Sequence, residues 1–538
     1  MCMYFMPFDA KGLHMIPDLD TGQHELFAPE DFETPFGGGL DPRNRWVEWA
    51  QHVPWSALAA SYHATLKPGG RPAKPARLVL GALLIKHRLG LSDTETLEQL
   101  RENPYLQYFC GFKRYQHERA FAPTLFVKLR ERLTAERFAA FEQAIVDQAE
   151  NSQRDSEPST QPGDDEPDNP TPTADTPAGS GPVSGSAPGT NDPAAGQAKA
   201  TTHRGQLVID ASVAEQAIRY PTDVSLLNEA RESAESLIDA LWTQMQQHEL
   251  ARARKPRTYR QQARAQYLSY SKKRRPGARH RRAARRQQLQ YLRRNLGHID
   301  ALLDRWSAHR PACGFPLSPR QQRRLWVIRE LWRQQDQLHR TRAKRIDDRL
   351  VSLHQPHVRP IVRGRLGHPV EFGAKFSVAL VDGIACVDTL HWDAFSEAND
   401  LIGQCQAYRR RYSVWPDKVL ADGAYGTRAN RHWLKQHGIA FGGKPLGRPP
   451  RLSPEQRRIL KQQRRTDARN RIPIEGKFGQ GKAAYGLAKI AARRADTSEA
   501  WIRSIFLVMN LIALQRLLLF WFATMWACLE EMDRARTP

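Results

Sequence analysis

A long segment without core-forming residues divides this chain of 538 residues. Residues 151–203 are rich in Pro, Gly, Ser, Thr and Asp and contain almost no large apolar residue. Such a segment cannot bury enough apolar surface to offset the entropy that is lost on folding, so we predict a disordered linker. The folded parts of the chain must then lie on either side of it.

The part before this linker has helical periodicity. We predict an irregular arm over residues 1–40 and an all-α domain over residues 41–150. Within that domain, Gly90-Leu91-Ser92-Asp93 forms a helix stop followed by an N-cap signal between two apolar-periodic segments. The spacing fits a helix-turn-helix that reads DNA, and it fits a plain helical hairpin in a small bundle at least as well.

The part after the linker alternates between strand and helix patterns. Short apolar strands are predicted at 206–210 and 417–422, each ending in a carboxylate, and a hairpin over 371–392 turns at Asp382-Gly383. Helices are predicted at 396–411 and from about Arg428. This order indicates an α/β layer fold. The apolar run from Ile505 to Leu529 is interrupted by polar residues, so we interpret it as a buried helix or helix pair and not as a membrane anchor.

Positive charge is concentrated in one block between the first strand and the hairpin. The chain has 81 Lys and Arg against 57 Asp and Glu, a net charge of +24, and residues 251–295 hold 17 of the basic residues and no acidic one. So many like charges would repel one another without a polyanion, and nucleic acid is the first candidate. We therefore interpret residues 224–351 as a basic helical insertion that binds DNA. Its candidate DNA contacts are Lys272, Lys273, Arg274, Arg275, Arg281 and Arg282.

The six cysteines form no CxxC pair and are irregularly spaced, which argues against a zinc module and against a disulfide framework. The N-terminus also lacks the pattern of a signal peptide. Both observations predict a reducing, cytoplasmic location.

Three carboxylates are candidates for a metal site. Phosphoryl transfer to or from DNA commonly uses two divalent ions held by carboxylates from different elements. Asp210 follows an apolar strand in LVIDAS, Asp422 lies in VLADGAYG before a glycine turn, and Glu475 lies in RIPIEGKFGQGK. Taken singly, each is explained at least as well by a structural role, as a turn former or a salt-bridge partner.

The motifs together resemble the transposases of bacterial insertion sequences, in the broad family four/five group. From about Gly205 to Gln515, ADGAYG is similar to the family's second-Asp motif and LVIDAS to its first-Asp strand. Arg471, Glu475 and Lys482 match the offsets of Tyr-x2-Arg-x3-Glu-x6-Lys, whereas Ala468 stands at the tyrosine position. The N-terminal segment GLSDTETLEQLRENPYLQYFCGF also resembles the family's N-terminal domain.

The resemblance implies a fold and a set of roles. It implies an RNase H-like catalytic domain, a mixed sheet with flanking helices, over residues 204–223 and 352–516, followed by a C-terminal apolar helix and tail at 517–538. Asp210, Asp422 and Glu475 would be the catalytic triad and would bind two Mg²⁺ or Mn²⁺ ions, while Arg471 and Lys482 would hold phosphates. Pro473 favours a first helical turn and nearby glycines weaken a helix, so the start of the helix that carries Glu475 stays open and Arg471 is allowed to lie just before it. If one member is wrong we expect it to be Asp210, with Asp223 as the nearby substitute.

The implied activity is cleavage of the element's ends and joining of the 3′-hydroxyl ends to target DNA. The partners would be double-stranded DNA and a second copy of the chain, in a homodimer or larger synaptic complex, with no membrane. Two alternatives stay open: an RNase H-like nuclease without strand transfer, and a non-catalytic nucleic-acid-binding protein derived from a transposase.

Overall fold

The computed structural model describes most of the chain outside the predicted linker. The described residues are 27–35, 37–67, 69, 72–156, 203–251, 254–309, 314–363, 369–447 and 453–536. Most of the predicted arm (1–26) and most of the predicted linker (157–202) lie outside them. The ends of the predicted linker are ordered, since residues 151–156 continue a helix and His203 forms an isolated bridge to Trp415.

The N-terminal part consists of seven helices. They are α1 (Arg45–His52), α2 (Trp55–His63), α3 (Ala76–Leu89), α4 (Asp93–Glu102), α5 (Pro104–Phe109), α6 (Thr124–Arg132) and α7 (Ala135–Ser156). The predicted stop and N-cap are confirmed: Gly90 adopts the left-handed conformation at φ 68°, and the Ser92 side chain accepts a hydrogen bond from the Glu95 amide. Arg130 of α6 binds both carboxylate oxygens of Asp93 at 3.0 and 2.6 Å, which ties α4 into the bundle.

A six-stranded mixed sheet forms the centre of the second part. Its strands are β1 (Gln206–Glu215), β2 (Arg359–Val362), β3 (Val370–Val381), β4 (Ile384–His391), β5 (Lys418–Leu420) and β6 (Ala440–Phe441). β3 pairs antiparallel with β1 along one edge and with β2 and β4 along the other, and β5 and β6 continue the sheet beyond β1 in parallel. The hairpin turn at Asp382-Gly383 is confirmed, with φ of 47° and 83° as a tight primed turn requires.

The first strand is longer than predicted. β1 continues to Glu215 because each residue from Val208 to Glu215 is paired with β3. Asp210 therefore lies inside the strand, and the prediction that it ends the strand was wrong. The residues that follow it, including the fully buried Val213 and Ala214, belong to the same ladder.

Four helices separate β1 from β2. They are α8 (Asp223–Gln247), α9 (Arg260–Ser271), α10 (Ala278–His309) and α11 (Pro319–Thr341). α8, α10 and α11 enclose an apolar cluster of their own that includes Leu227, Ile238, Leu292 and Ile328. Most of the basic side chains of these helices are exposed, as an amphipathic pattern requires, whereas Arg231 of α8 is buried and paired with Glu235.

Three further helices follow the hairpin and surround the sheet: α12 (Leu401–Tyr412), α13 (Arg428–Gln436) and α14 (Pro454–Ala484). α14 begins much earlier than the position of Pro473 suggests, because Ser453 and Gln456 form a capping box at its start. Arg471 and Pro473 both lie inside this helix, so the idea that Arg471 precedes the helix was wrong. Ile474 and Phe478 are buried, and the Phe478 ring contacts Phe376 of β3.

The last helix, α15 (Ala495–Arg536), is one continuous helix and not a helix pair. Its first half is buried. Asn510 in this half donates to the Ala385 carbonyl at 2.9 Å and accepts from the Ala385 amide at 2.8 Å, so both backbone groups of Ala385 in β4 are hydrogen-bonded. From Leu519 to Ala527 most of its side chains are exposed, so the expectation of a buried helix holds only for the first half. By length and composition, Ala495–Ala527 is apolar enough to cross a membrane, and 50% of its most apolar stretch is buried against the protein.

Candidate active site

Two carboxylates come from neighbouring central strands of the sheet: Asp210 lies in β1, and Asp422 lies in the turn after β5. β1 and β5 are parallel, and Val208 is paired with Leu420. Asp210 and Asp422 each follow these partners by two residues, so the register carries both side chains to the same face and height. The Ala211 amide donates to Asp210 Oδ1 at 2.8 Å, and the Gly423 amide donates to Asp422 Oδ1 at 2.5 Å.

Helix α14 brings the third carboxylate to the same place. Asn470 donates to Gln206 of β1 at 3.1 Å, and Asp467 forms an ion pair with Lys418 of β5. These contacts dock the helix across the two strands. One turn later, Glu475 faces the cavity that Asp210 and Asp422 line.

That cavity has a volume of about 560 Å³, and we call it the carboxylate cavity. Its charged lining residues are Asp210, Arg363, Lys375, Glu397, Asp422, Arg471, Glu475 and Lys482. The structure thus brings together the three predicted carboxylates and the two predicted phosphate-binding residues, from β1, from the turn after β5 and from α14.

Burial is the main cause of a raised pKa at Asp210. The carboxylates of Glu397 and Asp422 raise this pKa further, whereas the Ala211 amide and the Arg471 guanidinium lower it. A carboxylate that is half desolvated beside other carboxylates favours any cation that enters the cavity.

Arg471 lies between two members of the predicted triad. Its Nη1 is 3.8 Å from Asp210 Oδ2, and its Nη2 is 2.8 Å from Glu475 Oε1. A guanidinium therefore balances part of the negative charge here. Within the described residues, no group of three or more acidic, His or Cys side chains is already gathered closely enough to hold a metal ion.

The donor set nevertheless fits a hard divalent cation in kind. Mg²⁺ and Mn²⁺ prefer carboxylate oxygens and water, and they need only one or two carboxylates each. Three carboxylates from separate elements, with a fourth nearby, meet that requirement. No His or Cys side chain lines the cavity.

Glu397 is the fourth carboxylate, and the sequence analysis missed it. It lies in a 3-10 turn (Glu397–Asn399) before α12 and forms ion pairs with Lys375 at 2.9 Å and Arg363 at 3.8 Å. The segment FSEAND matches no motif, so only the folded chain brings this residue to the cavity. Lys375 and Arg363 in turn lie on β3 and just after β2.

Asp223, the predicted substitute for Asp210, belongs to a different cluster. It lies at the start of α8, forms ion pairs with Arg285 and Arg349, and accepts a hydrogen bond from Gln335. It does not line the carboxylate cavity. The expectation that Asp223 could take the place of Asp210 in the triad is therefore wrong, because Asp223 holds the helical insertion together.

The predicted DNA contacts of the insertion are exposed and lie outside the cavity. Lys272, Lys273, Arg274 and Arg275 follow the end of α9, and Arg281 and Arg282 lie near the start of α10. Within the described parts of the chain, none of these six forms an ion pair with an acidic residue. Their charge is therefore available to a polyanion.

Comparison with known proteins adds two family matches. Residues 419–512 match the family described as transposase DDE domain, and residues 37–132 match the family described as transposase domain (DUF772). The first range includes Asp422 and Glu475 but not Asp210.

One curated relative is the uncharacterized protein ORF8 in the nfe locus of Rhizobium meliloti. It is 34% identical over 129 residues, which are 24% of this chain and 60% of that protein. The chain thus spans less than two thirds of the length of that relative. No solved structure matches the chain.

Transposase domains imply an enzyme that processes DNA, and DDE domains generally depend on divalent metal ions. The two family matches confirm the resemblance that the motifs indicate: residues 37–132 are similar to a transposase domain, and residues 419–512 are similar to a transposase DDE domain.

Proposed function

We propose that this protein binds the ends of an insertion sequence, cleaves the DNA by metal-dependent hydrolysis and joins the freed 3′-hydroxyl ends to target DNA. The observation that carries the proposal is the register of β1 with β5. It sets Asp210 beside Asp422, and Glu475 of α14 faces the same cavity.

The order of the strands supports an RNase H-like catalytic domain. Apart from the short β2, the sheet runs β4, β3, β1, β5, β6; the first three are antiparallel neighbours and the last two are parallel to β1. In this arrangement the two aspartates come from adjacent central strands. The helical insertion enters after β1 and leaves the order of the strands unchanged.

Asp210, Asp422 and Glu475 would hold Mg²⁺ or Mn²⁺, as two ions, with Glu397 close enough to add negative charge. When bound, the ions supply Lewis-acid activation of the attacking water and later of the 3′-hydroxyl. Arg471 and Lys482 would bind phosphate oxygens of the DNA at the edge of the cavity. The exposed basic residues between α9 and α10 would bind the DNA backbone without reading its sequence.

Two copies of the chain would act together, because two element ends must be held at once. The N-terminal helices over residues 41–150 would contribute to binding these ends. We place the reaction in the cytoplasm.

The test uses purified protein and a linear DNA that carries the sequences flanking its coding region. With Mg²⁺ we expect the DNA to be cut at the ends of the insertion sequence. With DNA whose ends are already nicked, we expect products in which these ends are joined to target DNA. Cleavage without joining would favour an RNase H-like nuclease. Metal-independent binding without any cleavage would favour a non-catalytic DNA-binding protein.

Arg471 provides a prediction that needs no DNA. We expect Arg471→Gln to raise the affinity of the protein for Mn²⁺ by roughly tenfold. The guanidinium competes for Asp210 and Glu475 and also repels a cation, and both effects end with the substitution. Titration calorimetry of the DNA-free protein measures the change.

Arg469→Gln is the matched control, since Arg469 is exposed on the same helix and lies outside the cavity. It should leave the affinity for Mn²⁺ within twofold. If Arg471→Gln binds Mn²⁺ no better than the control does, Arg471 does not compete with the metal.

A further inference from the structure

An open groove leads from the carboxylate cavity to the helical insertion. The carboxylate cavity shares Val362 with a second cavity of about 740 Å³. The second cavity shares Tyr220, Pro221, Leu226 and Val351 with a third cavity of about 760 Å³. Because neighbouring cavities have lining residues in common, they adjoin one another in a row, and we call the second and third cavities together the insertion groove.

A tyrosine stands at the middle of this groove. Tyr220 follows β1, is 71% exposed and lines both cavities of the groove. Its ring is supported from one side by Phe372 of β3, at 5.5 Å and an interplanar angle of 90°. Val362, at the entrance from the carboxylate cavity, is 62% exposed. The groove therefore presents an exposed aromatic ring, with Phe372 against it, and an apolar entrance to solvent.

The charges that line the groove leave an excess of free cations. Glu232 is paired with Arg231 at 3.1 Å. Glu229 is hydrogen-bonded to His354 at 2.8 Å, and the other ring nitrogen of His354 accepts from Arg324. In the second cavity, Arg359 lies 3.6 Å from Asp393 and 4.0 Å from Asp348. Within the described residues, five basic side chains of the lining have no acidic partner. They are Arg219, Arg264, Lys344, Arg345 and Arg493. Among the described acidic lining residues, Asp347 and Glu229 form no ion pair with a Lys or Arg side chain.

The far end of the groove leads to the strongest positive charge of the insertion. Arg264, Tyr267 and Leu268 of α9 form its wall there. The exposed run from Lys272 to Arg275 follows directly after α9. A polyanion that leaves the carboxylate cavity through the groove therefore meets increasing positive charge.

We propose that the insertion groove binds a single DNA strand that leaves the carboxylate cavity, with one unpaired base stacked on Tyr220. The proposal rests on the proposed function, since it continues the path of the DNA from that cavity. Aromatic rings stack on bases of any sequence, and spaced cationic side chains follow the phosphates of a single strand. A duplex would present no free base to the ring, so the groove favours DNA whose strands are separated.

The test measures the affinity for a fluorescein-labelled fork with single-stranded arms and for a duplex of the same sequence. Fluorescence anisotropy is read in EDTA, so that no cleavage occurs. We expect Tyr220→Ala to weaken fork binding by roughly tenfold and duplex binding by less than twofold. Tyr220→Phe retains the ring and should bind the fork as the wild type does.

Trp326→Ala is the control, because Trp326 is an aromatic residue of equal exposure (72%) on α11 that lies outside the groove. It should leave fork binding unchanged, and circular dichroism checks that each variant is folded. Equal fork binding by Tyr220→Ala and wild type overturns the groove while the cleavage assay still stands. Equal losses in Tyr220→Ala and Trp326→Ala also overturn it. A wild-type protein that binds neither DNA overturns the proposed function together with the groove.

Discussion

Replacing Asp422 with asparagine is expected to abolish metal-dependent DNA cleavage. The substitution retains the shape of the side chain and its hydrogen bond from the Gly423 amide, but it removes the negative charge beside Asp210. Loss of one metal-binding carboxylate removes about 4 kcal/mol of transition-state stabilisation, or roughly a thousandfold in rate. Gel analysis of labelled end fragments in Mg²⁺ measures the rate.

The same loss is expected for Asp210→Asn and Glu475→Gln. The matched control is Asp417→Asn, since Asp417 is an exposed aspartate at the opposite end of β5, outside the cavity. It should cleave as the wild type does.

Asp223→Asn should lower the stability of the helical insertion, because Arg285 and Arg349 lose their partner, and should leave the metal requirement unchanged. Cleavage by Asp210→Asn at the wild-type rate would contradict the triad.

The Glu397→Gln variant tests whether Glu397 binds the metal ions or only supports the site. Glu397 already binds Lys375 and Arg363, so we expect its loss to lower the cleavage rate much less than the loss of Asp422. An effect as large as that of Asp422→Asn would make Glu397 a fourth member of the site.

Local signals predicted some parts of this site well. The Asp422 motif contains its own turn, and the hairpin at Asp382-Gly383 is fixed by residues that tolerate a left-handed backbone. Arg471 and Glu475 are four residues apart, which gives one helix face wherever the helix begins. Such features depend on short segments and survive errors in the boundaries of an element.

Other parts depend on long-range pairing, which the sequence does not display. Asp210 appeared to end a strand because the apolar run stops there, yet β3 continues to pair with β1 up to Glu215. Pro473 suggested the start of a helix, although the capping signal at Ser453 lies 20 residues earlier and the packing of Ile474 and Phe478 holds the helix across the proline. Glu397 reaches the cavity only through the fold.

A second large effect is expected away from the cavity, where the N-terminal helices meet the sheet. Arg411 of α12 forms ion pairs with Asp388 of β4 and, at 3.7 Å, with Glu142 of α7. Both carboxylates are almost fully buried. Arg411→Ala removes the cation that pairs with both buried acids, and we expect it to lower the free energy of unfolding by about 3–5 kcal/mol.

Urea unfolding followed by tryptophan fluorescence measures that loss. Arg410→Ala is the control, since Arg410 is the exposed neighbour on the same helix, and it should change the free energy of unfolding by less than about 0.5 kcal/mol. If Arg411→Ala and Arg410→Ala unfold at the same urea concentration, the buried ion pairs do not hold α7 against the sheet.

The same cluster makes the stability depend on pH in a direction that can be predicted. Burial, with a smaller contribution from Asp388, raises the pKa of Glu142 to about 7 against the opposing effects of Arg411 and Arg503. Since this folded-state pKa lies above the unfolded value, the stabilising contribution is complete below about pH 4.5 and is lost as the pH rises through 7.

Glu142→Gln stays neutral and accepts the same hydrogen bond from the Val387 amide. We therefore expect the stability of Glu142→Gln relative to wild type to increase by roughly 3 kcal/mol between pH 4.5 and pH 8. A difference that stays constant across this range would mean that Glu142 is ionised throughout, with Arg411 outweighing the cost of burial.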